Sequence, residues 1–164
     1  MKINFKLILK VLIGIFVLIQ FFRPKLNNSY DNTNFITNKF EVPENVMTTL
    51  KTSCFDCHSN GTVYPWYTNI QPVGWMMNNH IQEGKGELNF SEFAKYSPRR
   101  QYKKFSEIMG EVDEGKMPLS SYTLIHKDAI LTKEQKDAIA QWTQACREKM
   151  KLEYPIDSLQ RKKQ

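Results

Sequence analysis

The chain of 164 residues carries only three cysteines, Cys54, Cys57 and Cys146, and three histidines, His58, His80 and His126. A structural zinc site needs four Cys or His ligands at short spacing, and no second pair exists to complete one. No segment shows the apolar–polar alternation of a half-buried strand, so a β-rich fold is not expected. No internal repeat appears, which removes repeat architectures. The first 25 residues hold no acid and no cysteine that could accept a lipid. Nor do they offer a small-x-small cleavage site, since Ile19-Gln20-Phe21-Phe22 is bulky throughout.

Those 25 residues are nevertheless patterned. Lys2, Lys6 and Lys10 precede and interrupt an apolar stretch, Val11 to Ile19 is uninterrupted, and Arg23, Pro24 and Lys25 close it. A positive start followed by an apolar run is an export element. From Ile3 to Phe22 it approaches the roughly 20 residues that cross a bilayer, if Lys6 and Lys10 reach back to the interface. The expectation is therefore an uncleaved anchor over residues 1–25 in a bacterial inner membrane, with a cleaved signal peptide, which would export the rest equally, as the second reading. The positive charges would hold the N-terminus inside and place the rest on the periplasmic side.

The formal charge of +6 suggests nucleic acid at first sight. Five basic residues lie in the first 25 and three more, Arg161, Lys162 and Lys163, in the tail. Setting those eight aside leaves the body at −2, so no nucleic-acid partner is expected. Arg99, Arg100, Lys103 and Lys104 cluster on one predicted helix and read as a solvated face.

The strongest pattern is Cys54-Phe55-Asp56-Cys57-His58. Cys-x-x-Cys alone also serves thioredoxin-type sites, but the histidine that follows at once makes it the attachment signature of a c-type haem. Two thiols add across the two porphyrin vinyl groups, and His58 reaches the iron as proximal ligand. Cys146, near the end of a predicted helix from Thr132 to about Lys149, reads as a small buried hydrophobe.

Residues 26–42, rich in Asn, Thr and Ser, read as a linker, residues 43–150 as one small all-α domain, and 151–164 as a polar tail. Pro43 opens a helix with Val46 and Leu50 on one face, running to the motif. Val73 to Gln82 forms a second, broken by Gly84 and Gly86. Ser91 caps a short turn. Ser97-Pro98 opens a long helix from Arg99 to Glu114, ended by Gly115. Thr132 and Gln135 form a capping box for the last helix, with Ile139 and Trp142. So small a domain is expected to form its core around the haem and to need it to fold well.

Three residues compete as second axial ligand. Met117, in Gly115-Lys116-Met117-Pro118, lies in a loop stiffened by Pro118 and far enough along the chain from His58 to return over the open haem face. His80, on the second helix with Met76 and Met77, ranks next, and His126, in a loop, third. Tyr64-Pro65-Trp66-Tyr67 and Gln71-Pro72-Val73-Gly74-Trp75 are dense in aromatics and proline. Beside a porphyrin they would supply flat apolar walls, with Trp66 or Tyr67 bonding a propionate.

With Cys54-Phe55-Asp56-Cys57-His58-Ser59-Asn60, these two stretches and Glu83-Gly84-Lys85, Leu88-Asn89-Phe90-Ser91, Gly115-Lys116-Met117-Pro118, Tyr122-Thr123-Leu124-Ile125-His126 and Gln141-Trp142-Thr143, the chain resembles the single-domain bacterial haem-binding proteins of the cytochrome c type. The resemblance covers about Pro43 to Arg147. It implies one covalent haem c in an all-α, cytochrome c-like fold, with His58 and Met117 as axial ligands. By analogy with cytochromes c, it implies that Pro72, with Pro65 as rival, sets its carbonyl near the His58 imidazole. Two functions follow as expectations. One is an electron-transfer cytochrome tethered to the membrane and serving a redox partner protein. The other is a peroxidase-like enzyme or a gas or redox sensor with a labile or absent sixth ligand, for which His80 and Glu83 are the distal candidates.

Overall fold

The computed structural model describes residues 4–160. Lys2 of the expected export element and the basic tail, Arg161 to Lys163, lie outside them. Among the described residues eight α-helices form: α1 (Phe5–Ile19), α2 (Glu44–Ser53), α3 (Phe55–His58), α4 (Val73–Glu87), α5 (Pro98–Asp113), α6 (Ser120–Thr123), α7 (Lys133–Glu153) and α8 (Ile156–Leu159), joined by loops and short 3₁₀ turns. The fold is all-helical as expected, with only one isolated bridge, Asn28 to Gly61, among the described residues.

Local chemistry sets the long helices. The Ser97 side chain caps α5 with Pro98 in its first turn, and Gly115 at φ +69° ends it. Tyr102, Phe105, Ile108 and Val112 recur at helical spacing on its buried face. The capping box of Thr132 and Gln135 starts α7, which buries Ile139, Trp142, Cys146 and Met150 against α5 and α2. Phe40 and Phe93 pack on Phe105, which meets Trp142 edge-on with centroids 5.6 Å apart. The domain thus owns an aromatic core between α5 and α7.

Three expectations are corrected. Residues 26–42 are not a free linker: Ile36 and Phe40 are buried in the core, and Asn34 accepts from the Ala94 N–H at 2.9 Å. Two apolar side chains placed in a polar stretch suffice to dock it. The tail is not wholly free either, since α7 runs to Glu153 and Leu159 of α8 is buried. The expected membrane span shrinks to α1, 15 residues long and about 22 Å at the helical rise, short of a ~30 Å hydrocarbon layer. Among the described residues no helix is long and apolar enough to cross a membrane. The chain leaves the helix after Ile19 because it fastens to the body. Gln20 donates to the Gln71 carbonyl at 3.1 Å and accepts from its N–H at 2.9 Å, while Trp75 Nε1 donates to the Phe22 carbonyl.

α4 runs unbroken through Gly84 and Gly86, where a break was expected. The cap of the following turn is Asn89, whose side chain accepts from the Ser91 N–H, rather than Ser91 itself.

Candidate functional site

Cys54 stands at the junction between α2 and α3, and the His58 N–H returns to the Cys54 carbonyl at 2.9 Å. One helical turn therefore gathers Cys54, Cys57 and His58 on one side, facing a cavity. Burial pushes the Cys54 thiol up to about 12, with Cys57 adding to it. Burial, then Asp56, pushes Cys57 up to about 11. A thioredoxin-type dithiol needs a thiolate near neutral pH, and these two thiols stay protonated there.

His58 Nδ1 lies 2.9 Å from the Gly84 carbonyl and 3.0 Å from that of Leu88. Two acceptors fix the proton on Nδ1 and leave Nε2 as the free lone pair, the tautomer a metal-ligating imidazole uses. Burial holds the imidazole below its usual range, opposed by these two carbonyls and assisted by Lys104. The ring is thus neutral and competent to bind iron.

α4 comes this close because residue 84 is glycine. A Cβ there would stand 2.8 Å from the Cys57 carbonyl oxygen, which is backbone and cannot swing aside. Gly84→Ala is expected to push α4 off the motif and to cost ~1–3 kcal/mol in overpacking. A thermal melt of the variant, read with its haem content, tests this; a wild-type melting temperature and haem load would contradict it.

Two adjoining cavities flank the motif. One, of about 360 Å³, is lined by Cys54, His58, Leu88, Lys104, Met117 and Ile139 among others. The other, of about 270 Å³, includes Cys57, His58, His80, Glu83, Met117 and Tyr122. Cys54, His58, Met117 and Pro118 belong to both, so the attachment motif and the Met117 loop share one slot. Met117 is held by its own N–H on the Glu111 carbonyl at 3.0 Å.

The other candidates separate. His80 reaches the second cavity, but from α4, the helix whose Gly84 carbonyl already holds His58. His126 lines neither; its Nε2 is 2.6 Å from the Tyr67 hydroxyl. Trp66 is 76% exposed, on a turn away from both cavities. Pro72 stands at the start of α4, and the two carbonyls on His58 Nδ1 are those of Gly84 and Leu88, not of Pro72 or Pro65.

A family model described as the haem-binding domain matches residues 14–145. The chain belongs to that family. No curated protein and no solved structure shows a match.

The haem-binding domain's donor set fits its cofactor. A neutral His58 with a free Nε2, a thioether sulfur in the same slot, two protonated thiols at its wall and an apolar lining form one constellation. Among the described residues no three His, Cys, Asp or Glu side chains converge as a separate metal site.

Several site residues escaped the sequence reading. Lys104, placed there on a solvated face, is 8% exposed and bridges Glu107 at 2.7 Å and Glu87 at 3.3 Å in the cavity wall. Its position on α5, beside buried Phe105 and four residues before buried Ile108, was the available signal. Asn27 escaped it too, and Asn60, though part of the motif, was given no role. Asn27 bonds Ser59 and Thr62 and accepts from Lys85 at 2.6 Å. Asn60 donates to Glu92 and accepts from Asn89 at 2.8 Å. Together they lock the segment after the motif to the N-terminal strap and to the Asn89–Ser91 turn, satisfying buried polar groups.

Proposed function

We propose that this haem-binding domain is a c-type cytochrome on the periplasmic side of a bacterial inner membrane, passing single electrons to a redox partner protein. One haem is attached through Cys54 and Cys57, with His58 and Met117 as axial ligands. The observation that carries the reading is the pairing of His58, its Nδ1 committed to two carbonyls, with Met117 in one slot and on different elements. When bound, the haem supplies a one-electron Fe(III)/Fe(II) couple. His58 and Met117 suit that couple because a protein that keeps both ligands in both states reorganises little, and methionine raises the potential. Lys104 pairs with Glu87 and Glu107 at the cavity wall and offsets part of their charge. α1 supports a membrane location without spanning: it buries none of its side chains, and Leu12, Ile15, Phe16 and Val17 are among its exposed residues.

A second reading has one observation in its favour. His80 and Glu83 reach the second cavity beside Met117, as distal groups of a peroxidase-like enzyme or a sensor would. The absorption spectrum of the oxidised protein decides between them. The weak far-red band of a methionine sulfur on ferric haem, with no carbon monoxide binding to the reduced form, is the expected result. Absence of the band with rapid carbon monoxide binding would favour the second reading.

A further inference from the structure

Asp56, one of the two residues between the cysteines, has a partner on the far side of the slot. Asp56 Oδ2 accepts from the Tyr122 hydroxyl at 2.8 Å, and Oδ1 accepts from the Val63 N–H at 3.1 Å. Tyr122 lies five residues beyond Met117, in α6, the short helix that follows the loop carrying it. Its ring stacks on His126 at 4.2 Å with an interplanar angle of 11°, and His126 is bound in turn to Tyr67. Upstream, the Lys116 and Met117 N–H groups both end on the Glu111 carbonyl at the end of α5. The loop is therefore pinned at one end by backbone and at the other by a single charged side-chain bond.

We propose that Asp56 and Tyr122 form a latch, positioning residues that clamp the Met117 loop onto the haem-attachment motif. The proposal rests on the His58/Met117 reading for its spectroscopic consequence, though not for the clamp itself. Asp56 is fixed by the motif, so the loop closes only on a correctly folded α3. A hydrogen bond to an ionised group is about twice as strong as a neutral one, and no other side-chain bond joins residues 117–125 to the α3 helix. Burial and the neighbouring Asp56 push the Tyr122 hydroxyl up, so it remains a donor throughout the physiological range. The stack on His126 and the His126–Tyr67 bond keep the Tyr122 ring in place when the hydroxyl is removed. Tyr122→Phe is thus a clean probe of the bond.

The test compares wild type, Tyr122→Phe, Asp56→Asn and the double variant as holoproteins. Two readouts are taken. One is the far-red band with the rate of carbon monoxide binding. The other is trypsin cleavage after Lys116 and Lys127, which flank the loop. Each single variant is expected to weaken the band, bind carbon monoxide about tenfold faster and be cut faster, with the melting temperature little changed. The double variant should add little to the worse single, because the same bond is lost. Wild-type binding and cleavage rates in both single variants would overturn the latch. If wild type itself shows no methionine band, the ligand reading falls, and the cleavage arm alone still supports or overturns the clamp. Asp56→Asn keeps the proposal testable should Tyr122→Phe not fold.

Discussion

Wild-type protein is expected to keep its pigment through denaturation and acid-acetone extraction, and the Cys54→Ala/Cys57→Ala double variant to surrender it. Each single variant should yield far less holoprotein, because one remaining thioether would have to hold a haem that the proposed ligands, His58 and Met117, otherwise bind only by coordination. The geometry behind this is specific. Both cysteines line the slot that holds His58, and Cys57 is pressed from outside by α4 at Gly84. Burial keeps both thiols protonated and so protects them from adventitious oxidation, which proceeds through thiolate. Cys146 provides the internal control. It is buried among the α7 residues that face α5, with its thiol pushed up to about 11 by burial, and it lines neither cavity. Cys146→Ala should leave haem content at the wild-type level and cost only the small stability of a lost core sulfur. Extractable haem in wild type would mean coordination without covalent attachment and would refute the c-type assignment while leaving haem binding itself intact.

The motif was legible because its chemistry is local. Cys54, Cys57 and His58 sit within one turn, and spacing alone gathers them. The helices were legible for the same reason: the starts at Ser97 and Thr132 and the stop at Gly115 are short-range signals, and the structure keeps all three. What sequence could not supply is long-range pairing. Nothing in Gly84 announces that its missing side chain admits a helix to the Cys57 carbonyl. The analogy that gave Pro72 to His58 failed because which carbonyl reaches Nδ1 depends on where α4 lies, not on proline. The strap of residues 26–42 looked unstructured because its two buried apolar residues, Ile36 and Phe40, are set singly among polar ones, and its polar bonds run to partners such as Ser59 and Asn60, more than 25 positions away. Lys104 was misplaced on a solvent face because a cation near the buried edge of a helix reads as exposed until its carboxylate partners, Glu107 and Glu87, are known.

Met117→Ala is expected to abolish the far-red band, to open the reduced protein to carbon monoxide, and to lower the midpoint potential by on the order of 100 mV, within the ~0.8 V span that axial ligands command. The direction follows from ligand softness: a thioether favours Fe(II), and the water or hydroxide that replaces it does not. The structure gives reasons to expect this of Met117 and not of its rivals. Met117 lies in both cavities, on the loop between α5 and α6, whereas His80 is carried by α4, one turn from the carbonyl that already orients His58. A residue on the supporting helix of the proximal ligand is poorly placed to reach the opposite face of the same iron. His126 is spent on Tyr67 and Tyr122. His80→Ala and His126→Ala should therefore keep the band and move the potential only slightly. The result that would reverse this is a wild-type spectrum in Met117→Ala together with altered coordination in His80→Ala. The site would then be bis-histidine, its potential lower, and α4 would have to swing part of its length across the slot to deliver the second imidazole. Gly84 and Gly86, which α4 now carries without a break, are where such a hinge would have to form.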